Sequence, residues 1–503
     1  MGSFSQSTRF QWQPSSHGAW ERDLDECEEF YRSSTKRGQG CFPVTGCVSF
    51  QLKTLDVDSD SRVAEALQKA WTYLRYQHPT LGSSIERDDK ADKWKRAYRP
   101  FQNDEHQACW LRSTFKTVDS DTSALKWLDQ AAPSFDVPTV FLVRSKEDAP
   151  RQTLFLRCPH DITDGVGILQ LVDQLFVQAS LAYVQRDEYR NVFQDDSLEH
   201  PGLSPSLRIA ASIPESLSES QMERFQDIQT KNAAIYNHPG LLSLPSSSDH
   251  SSPLDGRVHR LSISIPEAIS TRILTGCKAV APGISVTHVF TSALVLALRD
   301  LQPRKHDPYP VRYVNHAMVN LRPYCSPPYD SPDHAAAAYH TVSAQALGID
   351  LVVPGSTDDT EAQASELSRV AIEVRDFYKQ VKPVLLGDVH EQIFLAPLTF
   401  KTLSPPPGSD PHSVPEPPFC PVALSSIGNV AALVTAPDDV FELTSVWAAS
   451  EPIGAGTAVF LGGWNGKIEL SSVFNTQYHQ PEYLNRFLRS IVDHVYKGFG
   501  IGE

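Results

Sequence analysis

Along the chain, apolar positions switch between a period of about two residues and one of about three to four, and each switch marks an element. Gln152 to Cys158 (Q-T-L-F-L-R-C) reads as a short, largely apolar strand. Just beyond it Val166, Ile168, Leu169, Leu171, Val172, Leu175 and Phe176 recur at helical spacing, which predicts a helix over 166–185. Val63, Leu67, Ala70, Trp71 and Leu74 form one stripe of a second helix, Ser61 to Gln77, closed by Pro79. Further strands are predicted at Phe42–Leu52, Cys109–Ser113 and Thr139–Val143. Residues 20–31 (W-E-R-D-L-D-E-C-E-E-F-Y) predict a short helix whose carboxylates form a solvated face.

From 187 to 256 the pattern fades into Ser-, Pro- and Asp-rich pieces around a helix at 216–234, which reads as a crossover between two halves. Beyond it lie a strand at Val258–Ile265, a helix at Val286–Arg299 capped by Ser285, a buried strand at Tyr313–Leu321 and a helix at Glu361–Val381. A proline-dense loop over 404–418 precedes strands at Val422–Ile427, Ala431–Thr435, Phe441–Trp447, Thr457–Leu461 and Lys467–Phe474, then a helix from Pro481 to Val495. The expected fold class is α/β, two α/β sandwiches side by side. The expected division is 1–200, a linker at 201–256, and 257–503.

Composition narrows the function. A chain of 503 residues exceeds one hydrophobic core. With 41% hydrophobic and 21% charged residues it is ordinary for a soluble protein, and a net charge of −15 argues against nucleic acid as a partner. Eight cysteines (27, 41, 47, 109, 158, 277, 325, 420) show no C-x-x-C or zinc spacing, as expected for reduced thiols and no metal. The start M-G-S-F-S-Q-S-T carries no apolar signal segment, and Gln6 breaks the myristoylation pattern. No uninterrupted run approaches 18 apolar residues, so a cytoplasmic protein without a membrane partner is expected.

The densest chemistry is Pro159-His-Asp-Ile-Thr-Asp-Gly-Val-Gly167, where a strand ends and a helix begins. Around it stand L-x-x-x-H-P-x-L at 74–81, S-V-T-H-V-F-x-x-A at 285–293, N-L-R-P at 320–323, L-S-S-I-G-N at 424–429 and G-G-W-N-G-K-I-E-L-S-S-V-F-N at 462–475. Together with H-x-x-x-D-G at 160–165, these motifs resemble the His-x-x-x-Asp acyltransferases. That superfamily includes chloramphenicol acetyltransferase, the plant BAHD enzymes and peptide-synthetase condensation domains. Its fungal trichothecene 15-O-acetyltransferase-like branch bears the strongest likeness, over residues 20 to 495. Two departures stand out. The plant Asp-Phe-Gly-Trp-Gly is Leu461-Gly-Gly-Trp-Asn465 here, and the second histidine of condensation domains is Pro159.

The resemblance implies two chloramphenicol-acetyltransferase-like subdomains with a tunnel between them and His160 midway. It implies transfer of an acyl group, most simply acetyl from acetyl-CoA, to a hydroxyl of a small secondary metabolite. Acyl-CoA would be a co-substrate, with no permanently bound cofactor, and the protein a monomer. A neutral imidazole removes a hydroxyl proton as the oxygen attacks, so His160 is the expected general base. No G-x-S-x-G elbow is present, and Cys158 ends an apolar strand, so no acyl-enzyme is expected. In the family the motif aspartate turns away from the histidine to pair with an arginine. Asp164 and Arg322 match those positions, and a buried pair of this kind is structural support.

Gly165 is expected to supply backbone freedom and room beside the histidine. Ser425, Ser426, Asn429 and Trp464 lie in segments that approach the tunnel in relatives and are the candidate oxyanion or tunnel residues. Lys278, Arg304, Lys305 and Lys467 are the cations weighed for coenzyme A phosphates, and nothing in the sequence selects among them. His288 and His316 read as core or surface residues. The alternatives are amide formation, a carrier-protein thioester, a cyclisation on the same fold, or a small-molecule-binding protein without turnover.

Overall fold

The computed structural model describes all residues except 1–7, 16–17, 35–42, 55–58, 89–91, 191–201, 246–255, 356–362, 384–390, 407–418, 436–438 and 503. Most of the predicted proline-dense loop, and residues 191–201 and 246–255 of the predicted crossover, lie outside the described residues. Two sheets dominate. The first has five strands in the order Phe441–Ser450, Val44–Leu52, Gln152–Cys158, Thr139–Ser145, Phe115–Ser120. All neighbours are antiparallel except the last pair. The second has four strands in the order Val422–Asn429, Thr457–Trp464, Lys467–Asn475, Val258–Ile265, with the first pair parallel.

Each sheet is covered by helices whose stripes follow the predicted period. Ser59–Gln77 and Gly165–Gln185 pack on the first sheet, where Leu67, Trp71, Leu74, Ile168, Leu169, Val172 and Leu175 join one core. Leu169, Leu171, Val172 and Leu175 are fully excluded from solvent, and burying such side chains contributes roughly 1.5–3 kcal/mol each. The helix Gly165–Glu188 is long and apolar enough to cross a membrane, but 56% of its apolar window is buried inside the protein. Val286–Asp300, Gln363–Val381 and Pro481–Gly498 cover the second sheet and share its core. The strand Phe441–Ser450 comes from the late part of the chain yet completes the first sheet, pairing Ser450 with Val44 and Val446 with Val48. Cys47, Phe141, Phe155, Trp447, Phe460 and Val473 form a small apolar cluster where the two sheets meet.

Several expectations need correction. Cys109–Ser113 lies inside the helix Asp104–Thr114, and the strand begins at Phe115. Asn103 caps that helix through the His106 N–H, and Trp110 stacks on Trp71, contacts that outweigh a short apolar run. Tyr313–Leu321 is two strands: Tyr309–Asn315 pairs with Leu347–Val353, while Met318–Asn320 pairs with His340–Val342. Val430–Ala432 is a 3-10 turn, not the start of a strand. Residues 20–23 form a strand, and the helix follows as Glu26–Ser33.

That helix also lacks the solvated acidic face expected of it. Cys27, Glu28 and Tyr31 are buried. Glu28 accepts two hydrogen bonds from Arg22 at 2.6 and 2.8 Å and one from Arg96 at 2.8 Å. Arg96 in turn reaches Asp161 at 2.6 Å. The carboxylates face inward because buried arginines meet them, a pairing that spacing within one helix cannot reveal.

Candidate active site

The strand Gln152–Cys158 is buried at every position and stops at Pro159, which has no N–H for a further ladder bond. A turn follows, in which the Ile162 N–H donates to the Pro159 carbonyl at 3.0 Å. Three anchors hold it. Arg96 grips both the carbonyl and the carboxylate of Asp161, the Thr163 hydroxyl donates to the Ala335 carbonyl at 2.9 Å, and Asp164 caps the next helix. His160 is carried on this turn, 8% exposed, against a cavity of about 370 Å³.

Each Asp164 oxygen is engaged away from His160. Oδ1 accepts the N–H groups of Val166 and Gly167 at 3.1 and 2.8 Å. Oδ2 accepts from Arg322 Nη2 at 3.1 Å and from the Tyr339 N–H at 2.9 Å. Arg322, 3% exposed, also donates to the carbonyls of His334, Ala335 and Ala337. Burial works against ionisation of Asp164, but Arg322, then His340 and the two N–H groups, outweigh it and hold its carboxyl below the ordinary value. His160 moves the other way. Burial first, then the neighbouring His340, push its pKa down to about 3, so the imidazole is neutral at neutral pH.

Two side chains that sequence reasoning missed complete the surroundings of His160. The Tyr31 ring stacks on the imidazole, with centroids 4.1 Å apart and planes 11° apart. His340 sits 5.3 Å from His160, centroid to centroid. Neither lies in a motif. Tyr31 arrives because Arg22, Glu28 and Arg96 dock its helix, and His340 because a three-residue strand pairs it with Asn320.

Ser425 and Ser426 line the His160 cavity together with Ile427, Asn320, Ser450 and Phe460. Ser426 Oγ accepts from Thr287 Oγ1 at 2.8 Å, which joins two of the sequence motifs. Asn429 is exposed and does not line this cavity, and Trp464 lines a neighbouring cleft with Arg260 and Trp447 that shares Ile427 and Phe460 with it. Gly165 opens the helix without the left-handed φ that backbone freedom would require. Its role is space, since a Cβ there would lie 2.9 Å from Ile427 Cδ1. The tighter glycine is Gly167, where a Cβ would lie 2.4 Å from Ala335 O, Arg322 Nη2 and Thr163 Oγ1 alike. The motif read as far as Gly165 stops two residues short of it.

A second cavity of about 350 Å³ shares Met318, Val319 and Asn320 with the first and is lined by His288, Arg375, Lys379 and Lys382. Of the cations weighed from sequence, Lys467 lines the Trp464 cleft, and Lys278, Arg304 and Lys305 line none of these three. Among the described residues no group of three His, Cys, Asp or Glu is placed to hold a metal ion.

Comparison with known proteins follows the same lines. No family model matches the chain. It is 27% identical over 338 residues to an acetyltransferase of Monascus ruber, pigO, covering 65% of this chain and 67% of that protein. It is 25% identical over 358 residues to the O-acetyltransferase pigM of the same fungus, covering 65% of this chain and 59% of the relative. The solved trichothecene 15-O-acetyltransferase TRI3 of Fusarium sporotrichioides superposes with a TM-score of 0.76 at 17% identity, over 99% of this chain and 100% of that one. A peptide-synthetase condensation domain, the first of the CDA synthetase, superposes at 0.58 with 14% identity, over 94% and 96% of the two chains. The chain is a relative of the acyltransferases with the chloramphenicol-acetyltransferase and condensation-domain fold.

Proposed function

We propose, from that kinship, that the protein is an O-acyltransferase that moves an acyl group, acetyl in the simplest case, from acyl-CoA to a hydroxyl of a small secondary metabolite. The observation that carries this reading is a neutral, buried imidazole on the wall of a cavity, with its motif aspartate committed elsewhere. His160 removes the proton of the acceptor hydroxyl as the oxygen attacks the thioester carbonyl, and returns it to the departing thiolate. Asp164 and Arg322 hold the turn that aims it. They do not relay charge.

A tetrahedral intermediate needs a donor for its oxyanion. Ser426 is the strongest of the four candidates. It lines the cavity and already accepts a hydrogen bond from Thr287, which leaves its own hydroxyl proton to donate. An acyl-enzyme through Cys158 is disfavoured, because its thiol is buried in the first sheet's core and burial pushes its pKa up. Arg375, Lys379 and Lys382 at the adjoining cavity supply positive charge where coenzyme A phosphates would approach. The division at 1–200, 201–256 and 257–503, the monomeric state and a cytoplasmic setting belong to the same proposal.

The test is direct. Purified protein is incubated with a panel of acyl-CoAs and a metabolite extract of its producer, and products are read by mass. A new ester at the mass of one acyl group supports the reading. No transfer from any acyl-CoA, with tight retention of an unmodified metabolite, favours a binding protein instead.

A further inference from the structure

A base that works by removing a proton carries a positive charge at the moment of attack, and the surroundings of His160 do little to welcome one. Asp164, the motif carboxylate, is committed to Arg322 and to the N–H groups of Val166, Gly167 and Tyr339. Burial and the neighbouring His340 both disfavour the protonated ring, which is why its pKa falls to about 3. A base so reluctant to hold a proton is a weak one unless something offsets the charge as it forms. What lies against the ring is the face of Tyr31. The two planes are 11° apart and the centroids 4.1 Å apart, inside the roughly 6 Å reach of a cation–π contact.

The Tyr31 ring is fixed from several sides. Cys27 and Tyr31 share the buried face of the helix Glu26–Ser33, in a cluster with Ala338 and Phe400. The Phe30 ring meets Tyr31 edge-on at 5.1 Å, and the Tyr31 hydroxyl is tied to His340 Nε2 at 2.7 Å. The same oxygen is 3.5 Å from His160 Nε2 but lies over the imidazole face, so it leaves the in-plane lone pair to the acceptor's proton. Burial pushes the Tyr31 phenol far up, so a neutral ring faces His160. Both rings are buried, and little water screens the contact between them.

We propose that Tyr31 is a positioning residue that acts through His160: its π face sets the angle of the imidazole and stabilises the imidazolium formed while the acceptor oxygen bonds to the thioester carbonyl carbon. The inference rests on the acyl-transfer reading above. The proton goes where that reading puts it, from the acceptor hydroxyl to His160 and on to the departing thiolate. Tyr31 neither takes nor gives one. Two neutral rings attract each other weakly, and protonation of one adds the pull between its charge and the quadrupole of the other. The contact therefore strengthens at the step that needs it, and favours the transition state over the resting enzyme.

A ring that only fills space does so whatever its electronics, and fluorine separates the two roles because it drains the π face while nearly keeping the shape. Full-length protein is prepared as Tyr31→Phe and with one, two or three fluorines on that phenylalanine ring. Fluorinated tyrosines, which keep the hydroxyl bonded to His340, form a second series. Two rates are read, and both build positive charge on the imidazole. One is modification of His160 by diethyl pyrocarbonate at neutral pH, followed by peptide mass. The other is single-turnover acetyl transfer from acetyl-CoA to the alcohols of the producer's metabolite extract. Tyr31→Phe should stay within about 3-fold of wild type, since either face attracts a cation. Both rates should fall with each added fluorine, to about 10-fold or more below the unfluorinated ring at three, with KM for acetyl-CoA unchanged. Equal modification rates along the series, or equal transfer rates in a protein that does transfer, would overturn the proposal. Modification that slows stepwise in a protein that transfers no acetyl group sinks the acyl-transfer reading alone.

Discussion

Gly167 tests how tightly the residues around His160 are packed. A methyl group there meets a carbonyl, a guanidinium and a hydroxyl, each at 2.4 Å, and two of them hold Asp164 and its turn in place. Gly167→Ala is predicted to cost about 1–3 kcal/mol of stability, measured by denaturant unfolding, and to lower turnover with it. Gly165→Ala meets only the flexible end of Ile427. It should leave stability nearly unchanged and raise KM for the acceptor, since it fills space beside His160. Ser426→Ala should lower kcat by about 100-fold or more if Ser426 donates to the oxyanion, with KM for acetyl-CoA little changed. A pH series adds a further check. The folded pKa of His160 lies below its ordinary value of 6.5, so the base is free above that range and becomes protonated only as pH falls well beneath it. The acid limb of kcat/KM should therefore fall below pH 6.5, and a limb centred on the ordinary value would contradict the burial of this ring.

At the scale of elements, the turn 159–164 is held by Arg96 from the strand Lys93–Tyr98, by the stacked ring of Tyr31 from the helix Glu26–Ser33 and by Arg322. Arg96→Ala would leave Glu28 with one arginine and Asp161 with none, and is predicted to cost about 3–5 kcal/mol, read from thermal unfolding. Asp164→Asn retains a good helix cap but loses the charge that meets Arg322, so it should lower stability and turnover together. This scale also shows what the sequence could reveal. His160, Asp164 and Arg322 were legible because their motifs lie at fixed places in a known pattern, and the covering helices were legible because their stripes are strictly periodic. Tyr31, His340 and the Arg22–Glu28–Arg96–Asp161 chain were not. They are brought together by pairings between distant segments, and an acidic helix looks the same in sequence whether water or arginine faces it. Ser425 and Ser426 could be placed near the cavity, but only the hydrogen bond from Thr287 separates Ser426 from the others.

For the whole molecule, the strand Phe441–Ser450 matters most, because it inserts late sequence into the early sheet. Val44 pairs with Ser450 on one side and Cys158 on the other, so His160 is braced by strands from both ends of the chain. A fragment ending at residue 256 would expose the edge of Val44–Leu52 and the apolar faces that Phe441, Val446 and Trp447 cover. It is predicted to aggregate when expressed alone and to become soluble when coexpressed with 257–503, as size-exclusion chromatography would show. The central claim is that one imidazole, and no nucleophilic side chain, carries the transfer. Its most direct measurement compares wild-type protein and His160→Ala for ester formation from acetyl-CoA, with the mass of the intact protein followed through turnover. The variant should lose about 100- to 10,000-fold in rate while still binding acetyl-CoA, and no acylated protein should accumulate in either. Ester formed at an undiminished rate by His160→Ala, or a protein that gains the mass of an acyl group, would contradict the account.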